Sequence, residues 1–183
     1  MRISVVGTSG CGKSTMATHI AAAFNIPVIE LEAITGQAGW RDLNSHDPEE
    51  FKRRVAEAVS ADAWVIAGNY SAVRPIYVPR VTHIVWLDYP KRVVMRRVIW
   101  RSLVRAIDRA ELWPGTGNRE DFRRWLDKGH PIRWAWDTFD KRRRENEERF
   151  AEMANSGVKL IRLREPHEAK DIIARLRVVQ PSP

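Results

Sequence analysis

Residues 7–15 read "GTSGCGKST", and the fold follows from what flanks them. Ahead of this stretch stands "RISVV", Arg2 to Val6, an almost continuously apolar run that predicts a short strand buried on both faces. Behind it, Thr15 to Phe24 predicts a helix that stops at Asn25. Gly7, four intervening residues and then Gly12-Lys13-Ser14, between a strand and a helix, is the pattern of a phosphate-binding loop. The loop N–H groups converge at a helix N-terminus, where the dipole also favours an anion. Gly7, Gly10 and Gly12 allow close backbone approach, and Ser9, Cys11 and Thr15 complete the cradle. The motif assigns Lys13 to the β and γ oxygens of a triphosphate and the Ser14 hydroxyl to Mg²⁺. Cys11 is the only cysteine, which excludes an intramolecular disulfide; it reads as a small filler of the loop.

Outward from the loop, strands and helices alternate. "NIPVIELEAI" supplies a second strand, Pro27 to Leu31, and two-residue alternation puts Glu30 and Glu32 on one side of its end. Asp47, Pro48 and Glu50 form a helix start. "AWVIAGNY" is a third strand ending at Gly68, and "THIVWLDYP" a fourth. A helix runs from Lys91 to about Ala110, with Met95, Ile99, Leu103 and Ile107 as its apolar stripe and Arg97, Arg101, Arg105 and Arg109 as a second stripe. "WPGTGN" breaks that helix, Asn118 caps a short one through Lys128, and Gly129-His-Pro ends it. "DTFDKRRRENEERFAEM" is a further charged helix, "VKLIRLRE" a fifth strand, and Pro166 to about Arg177 a last helix. This alternation predicts an α/β protein with a parallel sheet covered on both faces, a single domain over residues 1–180.

The 183 residues, 44% hydrophobic and 30% charged, describe an ordinary globular chain and not a disordered one. The apolar runs are too short to span a bilayer, and no secretory signal opens the chain, so the expected location is the cytoplasm. A formal net charge of +8 implies anionic partners without separating nucleotides from nucleic acid. The five histidines show no zinc-ligand spacing.

Mg²⁺ beside the loop needs a carboxylate, usually at the end of the strand neighbouring the first. That strand ends "VIAGN", with Ala67 in place of an acid. The alternatives are Glu32 and Glu30 at the end of the second strand, or Asp88 at the end of the fourth. The two glutamates face the ligand crevice of a parallel sheet, where one of them is also placed to accept the proton of an acceptor hydroxyl.

The order of the loop, "ELE", "GNY", "VWLDYP", "RVVMRRVIWR" and "IRLRE" resembles the adenylate kinase-like P-loop proteins, most closely the bacterial DNA topology modulation (FlaR-like) family, from Arg2 to about Arg177. The resemblance implies a three-layer P-loop NTPase sandwich with five parallel strands in the order 2-3-1-4-5. It also implies an ATP site at Gly7 to Thr15 and a helical lid at about residues 102–137. It departs from the family at Ala67, usually an acid, and at Glu32, typically Asp. The resemblance further implies that Arg97 and Arg101 contact the transferred phosphoryl group, with Arg133 and Arg142 as later additions. Asn69, Tyr70 and Arg74 follow the third strand where related kinases contact the acceptor, and Arg164 flanks the adenine.

Trp113, Trp125, Trp134 and Trp136 concentrate in the lid segment and are expected to pack its core. Lys141 to Arg144, followed by "ENEER", read as a solvated, salt-bridged helix face with Asp140 pairing Arg144. The leading expectation is a kinase that binds ATP and Mg²⁺ and phosphorylates a small acceptor, such as a nucleoside monophosphate. The alternatives are a nucleotide-responsive nucleic-acid binder and a nucleotide sensor that transfers nothing.

Overall fold

In the computed structural model, which describes residues 1–36, 42–108 and 130–178, the apolar run of the N-terminus forms the central strand β1, Arg2–Gly7. It lies between β3, Trp64–Ala67, and β4, His83–Leu87, with Ile3 opposite both Val65 and His83. β2, Val28–Glu30, and β5, Lys159–Leu163, take the edges, and every pairing is parallel. The sheet order is β2-β3-β1-β4-β5, as the resemblance implied. All the loops that follow these strands open at one edge, which is where parallel sheets place ligands.

Eight α-helices connect the described strands: α1, Lys13–Phe24; α2, Leu31–Thr35; α3, Leu43–His46; α4, Pro48–Ala58; α5, Arg74–Tyr77; α6, Lys91–Asp108; α7, Pro131–Glu152; and α8, Ile172–Val178. Alternation along β3 divides the core into two layers. Val65 and Ala67 join Ile3, Val5 and Ile20 under α1, α6, α7 and α8, while Trp64 and Ile66 pack against Phe51 and Val55 of α4. α4 begins as its sequence predicts, the Asp47 carboxylate accepting from the Glu50 N–H at 3.1 Å with Pro48 in the first turn.

Four local expectations are corrected. β2 stops at Glu30, because Leu31 turns the chain into α2 and buries its side chain completely. The apolar stripe of α6 holds only at Met95: Ile99, Leu103 and Ile107 are 44%, 39% and 71% exposed, and Val94, Val98 and Ser102 are buried with Met95 instead. Four-residue spacing overshoots the helical turn, so from Met95 to Ile107 the row rotates by about 120° off the buried face. The charged helix expected from Asp137 begins earlier, with the His130 ring accepting from the Ile132 N–H at 3.3 Å and Pro131 opening α7. The final helix begins as a 3₁₀ segment, Pro166–Asp171, ahead of α8. The short helix expected at Asn118, along with Arg109, Trp113, Trp125 and most of the expected lid, lies outside the described residues. No helix among the described residues is long and apolar enough to cross a membrane.

His83 gives the fold a pH dependence. Thr82 Oγ1 donates to the Arg2 carbonyl at 2.9 Å, so the His83 Nδ1–H donates to Thr82 and leaves a bare Nε2 buried without a partner. Burial, with Lys159 nearby, lowers the ring pKa from its usual 6.5. The unfolded chain therefore takes up a proton that the folded chain refuses, and stability falls as pH drops below about 6.5. Thermal melts between pH 7.5 and 5 are expected to show this loss, and His83→Gln is expected to flatten it.

Candidate functional site

The loop after β1 wraps the start of α1. Gly12 caps that helix in the left-handed region, φ 103°. Gly10 also has φ 81°, and a Cβ there would lie 2.0 Å from Cγ2 of Val98. Gly10→Ala is therefore expected to cost about 2–5 kcal/mol from backbone strain and overpacking against α6. Nucleotide affinity should fall with it, as denaturant melts and calorimetry would show.

Lys13 Nζ donates to the Thr8 carbonyl at 3.2 Å and stands 4.0 Å from Oε1 of Glu32, its side chain 10% exposed. The Ser14 hydroxyl donates to Oε2 of Glu30 at 3.1 Å. Both glutamates thus reach the loop, but from different elements: Glu30 ends β2 and Glu32 lies in the first turn of α2. Hydroxyl and carboxylate oxygens side by side at the start of α1 are a donor set that suits Mg²⁺. Ala67 is fully buried between β1 and β2, and the carboxylates beside the loop are Glu30, opposite it at the end of β2, and Glu32, past the bend at Leu31.

Cys11 is buried in the core, and burial pushes its thiol pKa up, which keeps it a thiol. Arg97 of α6 donates to the Cys11 carbonyl at 2.6 Å and sits 4.9 Å from the ring centre of Tyr89. Arg97, Arg101 and Arg105 share one face of α6 and line a cavity of about 990 Å³ that runs along residues 9–16 to Ala169.

A second cavity, about 1000 Å³, opens on the other side of Lys13 and Glu32. Ser9, Lys13, Glu32, Tyr70 and Trp134 line both. Its far wall is α7 and the segment after β3. Arg142 donates to the Asn69 carbonyl at 3.2 Å, and Arg149 to the Asn69 side-chain oxygen at 2.8 Å. Arg74 joins them on the wall, with its buried Nε lacking a partner, as does Nδ2 of the buried Asn146. Burial, and then the neighbouring Arg74, lowers the Arg149 pKa. Arg74, Arg142 and Arg149 can hold an anion in this cavity, which Glu32, Asp42, Glu145, Glu148 and Glu152 line as well. Burial raises the Tyr70 phenol, with Glu32 and Asp42 adding to the effect, so Tyr70 remains a hydrogen-bond donor.

The structure separates the other expected site residues from these cavities. Asp88 is not available to a metal: it is 4% exposed, and both oxygens are taken by Arg143 at 2.7 Å and Arg162 at 2.7 Å. Arg133 is exposed and paired with Asp137 at 2.7 Å. Arg164 is exposed, and its backbone N–H donates to Glu168 at 2.5 Å. Trp134 and Trp136 are 46% and 56% exposed, so they do not pack a core as expected. Trp136 instead carries Lys91 over its ring at 4.3 Å. "KRRR" is a solvated face only in part: Lys141, Arg143 and Arg144 are exposed, but Arg142 reaches Asn69, Arg143 bonds the buried Asp88, and Asp140 pairs with Lys91. The sequence reading missed Arg149 and Asn146, although Arg142, Asn146 and Arg149 repeat at four and three residues, the signature of one helix face.

No family model matches the chain, and no curated protein matches it in sequence. Solved structures do match its fold over nearly its whole length. A shikimate kinase from Bacteroides thetaiotaomicron is 15% identical with a TM-score of 0.57, covering 98% of this chain and 97% of its own. A shikimate kinase from Aquifex aeolicus vf5 is 16% identical with a TM-score of 0.54, covering 97% of each. An uncharacterized protein from Eubacterium ventriosum is 15% identical with a TM-score of 0.54, covering 98% and 99%. The chain therefore has the P-loop kinase fold.

Proposed function

We propose that the protein is an ATP-dependent phosphotransferase acting on a hydroxyl of a small acceptor that also carries an anionic group. One observation carries this reading: two cavities of similar size meet at Lys13 and Glu32, one running along the phosphate loop and the other ending in arginines. Two compartments joined at an ammonium and a carboxylate suit a donor and an acceptor better than a single ligand. The fold that two shikimate kinases share with this chain agrees with such a division.

In this reading the loop amides and Lys13 hold the β and γ phosphates, and Arg97, Arg101 and Arg105 add countercharge along α6. Ser14 and Glu30 would hold Mg²⁺, which would neutralise charge on the phosphate oxygens. Arg74, Arg142 and Arg149 grip the acceptor's anionic group and turn its hydroxyl toward the loop. Glu32 takes the hydroxyl proton as the oxygen bonds to the γ phosphorus, while the bond from γ phosphorus to the β–γ bridging oxygen breaks and ADP leaves with that electron pair. Tyr70, protonated and lining both cavities, donates a hydrogen bond at the junction.

The direct test incubates the protein with γ-labelled Mg-ATP and a panel of hydroxylated carboxylates and nucleoside monophosphates. Labelled acceptor is the expected product. Retention of all label in ATP and phosphate, across the panel, would count against transfer.

A further inference from the structure

Asp88 lies outside both cavities, yet it is the most heavily bonded carboxylate described in the chain. Arg143 Nε donates to its Oδ1 at 2.7 Å and Arg143 Nη2 to its Oδ2 at 3.1 Å. Arg162 Nε and Nη2 donate to Oδ2 at 3.0 and 2.7 Å. Asp88 follows β4 directly, its own N–H donating to the Leu163 carbonyl of β5 at 2.8 Å, so its place in the sheet is fixed. Arg162 also donates to Glu147 of α7 at 3.0 Å and stacks over Trp86 at 4.1 Å. Trp86 in turn meets Phe150 of α7, ring centres 5.3 Å apart.

Arg143, Glu147 and Phe150 therefore form the anchoring edge of α7. Arg142 and Arg149, which line the acceptor cavity, and the buried Asn146 between them each stand one position earlier. One position is a rotation of about 100° around a helix, so the anchoring edge and the acceptor-facing edge are fixed relative to each other. Whatever sets the rotation of α7 on the sheet also sets where Arg142 and Arg149 point.

We propose that Asp88 and Arg143 act as a pin that holds the rotation of α7 and thereby aims Arg142 and Arg149 at the acceptor. This rests on the acceptor reading given above for that cavity. Both are positioning residues, neither touching the acceptor. The pin acts on one compartment because α7 meets the loop cavity only at its first turn, through Pro131 and Trp134.

Arg143→Gln is the cleaner probe, since it cuts the tie between Asp88 and α7 while leaving Asp88 paired with Arg162; Asp88→Asn is the second. Side-chain amide spectra of protein labelled with ¹⁵N at arginine need no acceptor. In Arg143→Gln the Nε–H signals of Arg142 and Arg149 are expected to shift or broaden, while Mg-ADP affinity by calorimetry stays within about threefold of wild type. With the acceptor found in the panel, its KM is expected to rise about tenfold, the scale of one charge-assisted contact, with kcat held within about threefold. Arg143→Lys should recover part of the loss. Unchanged Arg142 and Arg149 signals in both variants, or a fall in kcat at unchanged acceptor KM, would overturn the pin. If the wild type phosphorylates nothing in the panel, the transferase reading fails, and the arginine signals alone still decide whether the pin holds α7.

Discussion

Lys13→Ala is expected to lower kcat/KM for phosphotransfer by about 10³-fold or more, the range in which removal of a transition-state cation falls. That loss corresponds to about 4 kcal/mol. The side chain is already drawn inward, bonded to the Thr8 carbonyl at 3.2 Å and only at the outer limit of a pair with Glu32 at 4.0 Å. Exchanging those contacts for phosphate oxygens needs little rearrangement, and the charge enters a half-enclosed site where it is worth more than in water. Lys13→Arg should not rescue activity, because a planar fork does not replace a compact ammonium beneath the loop. Single-turnover transfer with labelled ATP measures the rate, calorimetry the affinity, and a thermal melt within about 4 °C of wild type shows that the fold survives. A Lys13→Ala protein that transfers phosphoryl at the wild-type rate would remove the loop from the chemistry.

The loop was readable because its function depends on backbone geometry, and geometry of that kind restricts residue type locally. Gly10 tolerates no Cβ against Val98, and Gly12 caps α1 from the left-handed region. The central strands were readable for a related reason, since a strand buried on both faces leaves a largely apolar run such as "WVIA". What escaped were features set by tertiary contact. Nothing in "ELE" shows that Leu31 will leave the sheet and that the two acids will reach the loop from a strand and a helix. Nothing in "VWLDYP" distinguishes an acid facing a ligand from one enclosed by Arg143 and Arg162, which lie 55 and 74 residues away. The α6 stripe failed because the helix packs on the loop and on α7, and the buried edge follows Val94 and Val98. Local balance of charge also misled at "KRRRENEER". Consecutive arginines there have opposed tasks, Arg142 on the acceptor side and Arg143 on the anchoring side, a division that appears only once α7 lies on the sheet.

Glu32→Gln and Glu30→Gln are expected to separate proton transfer from metal binding, two roles that the sequence left open between the same two acids. Glu32 lines both cavities and stands beside Lys13, whereas Glu30 lines only the loop cavity and holds the Ser14 hydroxyl. A hydroxyl acceptor needs its proton removed as the new bond forms, and a positioned base contributes roughly 10²–10⁴-fold. Glu32→Gln should therefore lower kcat by about 10²–10³-fold while Mg-ADP affinity stays within about threefold, since the amide keeps the shape but accepts no proton. Glu30→Gln should instead raise the Mg²⁺ concentration for half-maximal rate, and excess Mg²⁺ should restore much of the kcat. The comparison also tests the chemistry of the acceptor. A phosphate oxygen is already ionised near neutral pH and requires no base, so a nucleoside monophosphate phosphorylated on its phosphate would leave the Glu32→Gln rate within about tenfold of wild type. The large loss is the expected one, because Glu32 stands beside Lys13 where the two cavities meet, the place at which an acceptor hydroxyl would need a base. Equal losses in the two variants, both reversed by Mg²⁺, would assign both carboxylates to the metal and leave the proton to another group.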